Sequence, residues 1–301
     1  MHSASGILLV DKPGGITSHD VVARTRRAFG TRKIGHAGTL DPMATGLLVL
    51  GIEGATRLLT YLVGLDKTYE ATIRLGAATT TDDAEGEIVR TADPEVLAAA
   101  TDERIARGAA ALTGRISQVP STFSAIKVDG KRAYDLARAG QDVALKAREV
   151  TVSRFAVGEV RRTAGAVDLD VVVDCSSGTY IRALARDLGD DLGVGGHLTI
   201  LRRTRIGPFG IADAHALDGL ATGSLPTLLA PADVAARVLG RLDVTTAEAR
   251  DLRHGKKLVG AASRIDGERA AAVDPEGTLV GIVERRGDAL KSAMNMPEVH
   301  A

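Results

Sequence analysis

Gly35-His36-Ala37-Gly38-Thr39-Leu40-Asp41-Pro42 sets one carboxylate in a glycine-rich turn, directly ahead of the apolar run Met43-Ala44-Thr45-Gly46-Leu47-Leu48-Val49-Leu50. Gly35 and Gly38 permit backbone angles and close approaches that a side chain forbids, and Pro42 suits the first position of a helix. The pattern therefore predicts a helix running from Pro42 with Asp41 as its N-cap. Two roles stay open for Asp41. As a cap it bonds backbone amides and stabilises the helix by roughly 1 kcal/mol; as a carboxylate on a function-bearing loop it is a reacting group.

Four further stretches stand out beside it. They are Val10-Asp11-Lys12-Pro13-Gly14-Gly15-Ile16-Thr17-Ser18-His19-Asp20 upstream, then Lys67-Thr68-Tyr69-Glu70-Ala71, Ser176-Ser177-Gly178-Thr179-Tyr180-Ile181-Arg182 and Gly196-His197-Leu198-Thr199-Ile200-Leu201-Arg202-Arg203-Thr204 downstream. Together with the Asp41 segment, in this order, they resemble the motifs of the bacterial tRNA pseudouridine-55 synthases, the TruB type, across most of residues 6 to 210. The resemblance implies an enzyme that needs no cofactor and no metal, acting on the T arm of tRNA and calling for no obligate protein partner. It also implies Asp41 as the catalytic residue, with Tyr69, Arg182, Leu201, His36 and Lys12 around the substrate.

Composition bounds the alternatives. A chain of 301 residues exceeds the usual single-domain size, so two domains are expected. No run approaches the roughly 18 apolar residues of a membrane span, and the first residues lack the basic-then-apolar layout of a signal peptide. The single cysteine, Cys175, allows no internal disulfide and fits a reducing cytoplasm; its apolar setting reads as a buried thiol. Seven scattered histidines offer no metal-ligand spacing. Lys and Arg number 38 and so do Asp and Glu, a net charge of zero that sits awkwardly with RNA binding. The charge is uneven, however: residues 1–40 hold six basic against two acidic side chains, and residues 115–148 hold seven against three. With Arg202-Arg203-Thr204-Arg205 these read either as solvated faces or as phosphate-facing patches, and the family resemblance favours the second.

Ile7 to Val10 reads as a buried strand, Thr17 to Phe29 as a helix capped by Thr17 or Ser18 and ended by Gly30, and Tyr69 to Leu75 as a strand of period two. Pro94 to Leu112 is helical in pattern. Glu149 to Val160 and Ala166 to Cys175 read as a hairpin, followed by a helix from Thr179 to Leu192. Near the C-terminus, Leu242-Asp243-Val244 and Ala270 to Val273 are short strands, and Asp274-Pro275-Glu276-Gly277 turns the chain into Thr278 to Val283. The mixture without regular βαβ alternation predicts an α+β fold. The resemblance sharpens this to the pseudouridine synthase fold, a mixed and largely antiparallel central sheet with flanking helices, plus a small C-terminal β-rich PUA-like domain. The expected division is residues 1–238 for catalysis, 239–291 for the PUA-like domain and 292–301 as a mobile tail. Residues 118–148 resemble the family's RNA-gripping thumb, with Lys127, Lys131 and Arg132 as its RNA contacts beside Arg202 and Arg203. Ser121 stands where that family tends to have a second proline.

In the chemistry that the family implies, the ribose C1′–N1 bond breaks and a C1′–C5 bond forms, begun by Asp41 either attacking C1′ or removing the C2′ proton. An ionised carboxylate serves either route, and Arg182 is the candidate guanidinium that favours this charged form. It falls in the first turn of a helix, where the macrodipole disfavours a cation. Tyr69 offers a ring to stack on the base and a phenol to exchange a proton with it. Leu201 forms an apolar floor. His36 fills the space left by an extruded nucleotide or contacts its phosphate, and Lys12 supports the catalytic loop or the RNA. Two rivals are a metal-dependent hydrolase built on Asp82, Asp83, Glu85 and Glu87, and a noncatalytic tRNA-binding or tRNA-folding protein on the same scaffold. Asp41, Tyr69 and Arg182 together favour the enzyme.

Overall fold

A computed structural model describes residues 5–121, 127–128, 131–132, 145–221 and 225–297, and the side chains at 127–128, 131–132 and 221 lie outside that description. In chain order the elements are β1 (Gly6–Lys12), α1 (Ser18–Phe29), β2 (Ile34–Ala37), β3 (Thr45–Ile52), α2 (Leu59–Leu62), β4 (Lys67–Leu75), β5 (Ala77–Thr79), β6 (Ile88–Thr91), α3 (Pro94–Ala98), α4 (Asp102–Ala111) and β7 (Gly114–Gln118). There follow β8 (Lys127–Val128), β9 (Lys131–Arg132), β10 (Arg148–Arg162), β11 (Val167–Cys175), α5 (Ile181–Asp191), β12 (Gly196–Ile206), β13 (Phe209–Gly210) and β14 (His215–Ala216). The last are α6 (Pro231–Leu239), β15 (Arg241–Asp243), α7 (Thr246–Arg253), β16 (Arg269–Val273), β17 (Leu279–Arg286) and β18 (Ala289–Asn295). The chain forms two compact units, Met1–Pro42 with Gly46–Gly64 and Ile206–Ala301, and Met43–Thr45 with Leu65–Arg205.

In the first unit β1 pairs parallel with β14 and antiparallel with β3, which pairs in turn with β2. The run after Asp41 is thus a strand, where a helix was expected. Every residue from Gly46 to Ile52 is buried, and Leu48, Leu50 and Ile52 pack with Leu8, Val10 and Ile34 against Val21 and Val22 of α1. A continuous apolar run suits a strand covered on both faces as well as it suits a buried helix, and here the ladder of β1 from Gly6↔Ile52 to Lys12↔Gly46 decides. Helix α1 follows its sequence signals: Thr17 and Asp20 form a reciprocal capping box, and Gly30 closes the other end at φ 64°. A separate four-stranded sheet, β15-β16-β17-β18, is parallel at its first pair and antiparallel after it, with a core of Leu242, Leu252, Val280, Val283 and Leu290. Ser292 to Asn295 belong to β18, so this part of the expected tail is an ordered edge strand, and residues 298–301 lie outside the described ones.

In the second unit β12, β4, β11, β10 and β7 lie side by side, antiparallel from β4 onward. The β10–β11 hairpin forms where the β-branched runs predicted it. The helix expected over Pro94–Leu112 is instead two, because Thr101 accepts from the Arg104 amide and opens α4, while the Arg104 guanidinium donates to the Ala99 carbonyl at 2.9 Å. Gln118, ending β7, pairs with Arg148, opening β10, so the chain between them leaves and returns at one point on the sheet edge. Residues 122–126, 129–130 and 133–144 of that stretch lie outside the described ones.

Helix α5 lies against the start of β12 by close backbone approach. A Cβ on Gly189 would stand 2.2 Å from the Gly195 carbonyl carbon and the Gly196 nitrogen, and one on Gly196 would stand 2.4 Å from the Ala185 oxygen. Neither contact can be relieved by a side-chain rotation, because every atom involved is backbone. Gly189→Ala should therefore lower stability by roughly 2 kcal/mol or more, read as a fall in denaturation midpoint, despite the better helix propensity of alanine. An unchanged midpoint would contradict the packing described.

Candidate active site

Asp41 sits half-buried in irregular chain between β2 and β3, with no helix after it to cap. Its neighbours on both sides are held by side chains. The Ser18 hydroxyl donates to the Leu40 carbonyl at 3.2 Å and accepts from the Leu40 amide at 2.9 Å. On the other side, the Pro42 carbonyl accepts from Lys12 Nζ at 3.1 Å and from the Gly15 amide at 2.9 Å. Lys12 is completely buried at the end of β1, and its ammonium also donates to the carbonyls of Pro13 at 2.9 Å and Ile16 at 2.7 Å. Three carbonyls match its three donors. Lys12 thus ties the turn at Pro13 and Ile16 to the residue after Asp41 from inside the fold. Ser18, the first residue of α1, holds the residue before Asp41, and its only signal in the sequence was the ambiguity between Thr17 and Ser18 as cap.

His36 is half-buried on β2, its ring edge-on to that of His19 at 5.4 Å between centroids and 87° between planes. His19 is exposed on the first turn of α1. The two imidazoles make a paired aromatic feature in the first unit, a contact between α1 and β2 that their separation in sequence does not reveal.

In the second unit Tyr69 lies on β4 opposite Val173 of β11 and is 8% exposed. Lys67, two residues earlier on the same face, is buried opposite Cys175 and donates to the Leu65 carbonyl. Burial, and then the neighbouring Arg203 guanidinium, lower its pKa to about 8. Burial pushes the Cys175 thiol up to about 11, so it is no ready nucleophile. Leu201 on β12 is buried at 5% exposure. Arg203 was expected to face phosphate, yet only 1% of it is exposed: period-two alternation along β12 turns residues 201 and 203 inward together. Arg202, on the opposite face, is half-buried and donates to the Thr45 hydroxyl at 3.3 Å. Lys127 and Arg132 pair across a short β8–β9 ladder, as do Val128 and Lys131.

Arg182 stands in the first turn of α5, as expected, but it is buried at 3% exposure. Its Nη1 donates to the Thr81 carbonyl at 2.8 Å and lies 3.3 Å from Asp83 Oδ2. Asp83 also accepts from the Thr81 hydroxyl at 2.5 Å and the Glu85 amide at 3.1 Å. The adjacent Asp82 accepts from Ser121 Oγ at 2.7 Å and Arg186 Nη1 at 3.2 Å. The acidic loop considered as a metal-binding hydrolase centre is thus an arginine-holding element. Gln118 fixes the start of α5 from below: its amide oxygen accepts from the Tyr180 N–H at 2.8 Å and its amide nitrogen donates to the Tyr180 carbonyl at 3.1 Å. Asp82, Asp83 and Gln118 were not singled out in these roles from the sequence, because each depends on which segments meet in space.

Comparison with known proteins finds relatives along nearly the whole chain. Residues 26–181 match the family model for the N-terminal domain of the TruB family pseudouridylate synthases. Residues 182–235 match the tRNA pseudouridylate synthase B C-terminal domain, and 239–297 the C-terminal tRNA pseudouridine synthase II model. The tRNA pseudouridine synthase B of Leifsonia xyli subsp. xyli is 58% identical over 97% of each chain. That of Corynebacterium diphtheriae is 51% identical over 95% of this chain and 94% of its own. Among solved structures, a Cbf5-Nop10-Gar1 complex aligns with TM-score 0.69 at 22% identity, covering 97% of this chain and 84% of that one, a likeness of fold.

The buried Lys67 amine has a folded pKa of about 8, below its ordinary 10.5. The unfolded chain therefore holds more protons between those values, so stability should rise as pH goes from about 8 to about 10.5. Lys67→Met should flatten that rise when unfolding midpoints of the two proteins are compared across the range. Parallel curves would show that the amine is not desolvated.

Proposed function

The chain belongs to the TruB family of pseudouridine synthases, and on that footing we propose that it converts uridine-55 in the T loop of tRNA to pseudouridine. The observation that carries the reading is the placement of Asp41: a carboxylate in irregular chain, with the residues before and after it fixed by Ser18, Lys12 and Gly15. Such bracing of a segment that no helix or strand supports is what a positioned reacting group needs.

The target uridine is first drawn out of the loop, at a cost of a few kcal/mol. Asp41 then opens the glycosidic bond, by attack on C1′ or by removing the C2′ proton. The released uracil turns, C5 takes the place of N1 on C1′, and the proton lost from C5 is balanced by one gained at N1. Tyr69 stacks on the base, Leu201 gives it an apolar floor, and Arg182 supplies positive charge to the reacting site. His36 occupies the space the nucleotide leaves. Lys127, Lys131, Arg132 and Arg202 contact RNA phosphates, residues 118–148 act as the gripping insertion, and residues 239–291 act as a PUA-like RNA-binding domain. The reaction is a cytoplasmic one, and the T arm alone carries the recognition elements.

Mapping pseudouridine at nucleotide resolution in tRNA and in isolated T-arm RNA should show one modified uridine, at position 55, in both. Modification elsewhere, or none in the T arm, would reject the assignment. Asp41→Asn should reduce single-turnover formation to background while the protein stays folded and binds tRNA. Because no helix follows Asp41, this change removes no cap, and a folded Asn variant with near-normal turnover would remove Asp41 from the chemistry. Arg182→Ala should lower turnover far more than tRNA affinity, and Lys131→Ala the reverse, with a salt dependence shallower by about one unit or less.

A further inference from the structure

The carboxylate of Asp82 is not needed to pair Arg182, which already has Asp83. It sits at φ 60°, in the left-handed region where glycine is at ease and other residues are uncommon. A side chain held there needs a reason. Ser121 Oγ lies 2.7 Å from Asp82 Oδ2 and 3.2 Å from the Thr81 carbonyl, the same carbonyl that accepts from Arg182. Arg186, one turn beyond Arg182 on α5, places Nη1 on Asp82 and Nη2 on the Val119 carbonyl at 2.7 Å.

We propose that Asp82, with Ser121 and Arg186, is a positioning latch that joins residues 119–121, where the chain leaves β7, to the loop and helix holding Arg182. Asp82 touches no substrate in this assignment. It receives one bond from the β7 extension and one from α5, and its own backbone connects Thr81 and Asp83, two of the acceptors of Arg182, whose Nη1 also donates to Ser121 Oγ at 3.5 Å. Moving residues 119–121 therefore moves the acceptors of the arginine. Burial drives the Asp82 carboxyl above its ordinary range, the mark of a group held out of water with its two donors. Ser121 is central, because its hydroxyl supplies a bond that a proline there cannot.

The inference rests on the reading that Arg182 serves uridine isomerisation, and one set of variants separates the two. Asp82→Gly removes the carboxylate while easing the φ of 60°, and Asp82→Asn keeps an acceptor for Ser121 and tolerates that angle while losing the charge that Arg186 meets. Single-turnover pseudouridine formation should fall about tenfold to a hundredfold in Asp82→Gly and less in Asp82→Asn, with tRNA Kd within about twofold and melting temperature unchanged or raised. Ser121→Ala should slow the reaction in the wild-type background and cost less in Asp82→Gly, the remainder being its direct contact with Arg182. Normal rates in the folded Asp82 variants, a loss confined to tRNA Kd, or multiplying losses on combination with Ser121→Ala would overturn the latch. If Arg182→Ala is inactive while these variants are normal, the latch alone fails. If Arg182→Ala keeps full turnover, the reading beneath it fails.

Discussion

Three backbone carbonyls on one buried ammonium form the constraint from which the Asp41 loop takes its shape. Lys12 ends β1, and β1 is fixed along its length by the ladder to β3, so the ammonium has little freedom to move. It ties the turn at Pro13 and Ile16 to Pro42, the residue after the carboxylate. The Ser18 hydroxyl does the same for the residue before it, and Ser18 points where it does because the capping box of Thr17 and Asp20 sets the first turn of α1. A capping signal in the sequence thus reaches Asp41 through two bonds. Hydrogen bonds to charged groups stabilise by about 1.5–3 kcal/mol each, and a buried ammonium deprived of them is worse than an apolar side chain. The brace is all or nothing.

The second unit meets the opposite problem, a cation in a position that the helix field disfavours. Placing Arg182 in the first turn of α5 sets it against a macrodipole effect of about 0.3–1 kcal/mol. Asp83 and the Thr81 carbonyl offset this at close range, and the low exposure of both charged partners keeps their interaction from being screened. Gln118 satisfies Tyr180 on both sides, so the start of the helix is fixed without a conventional cap. Gly189 and Gly196 admit the backbone approach that sets α5 against β12. The arginine is therefore placed by loop, strand end and helix at once.

Much of this was legible in the residues themselves, where local physics suffices. The cap and glycine stop of α1, the β10–β11 hairpin, and the turn at Asp274–Gly277 between β16 and β17 all form where composition and periodicity put them. The family motifs brought out Asp41, Tyr69 and Arg182 as candidate site residues. What failed did so for identifiable reasons. The run from Thr45 to Ile52 is apolar throughout, so it carries no period to tell strand from helix, and Pro42 tipped the local reading the wrong way. Arg203 was grouped with Arg202 and Arg205 as a charge cluster, although alternation in a strand sends neighbours to opposite faces. The acidic loop at Asp82 and Asp83 was judged by its own composition, when its partners come from α5 and from residue 121.

Those buried cations also bear on the zero net charge. Among the described residues Lys12, Lys67, Arg182 and Arg203 are buried, against Asp83 and Asp274 of opposite sign. Among the described residues, burial thus withdraws more positive than negative charge from the surface. A polyanion meets that surface, and counterion release depends on the cations that reach phosphates rather than on the total. Each buried cation instead does local work that net charge cannot report: Lys12 fixes a loop, Lys67 and Arg203 share the sheet beneath Tyr69, and Arg182 stands on its aspartate. Affinity for RNA in such a chain has to come from where the remaining basic residues are grouped rather than from the sum.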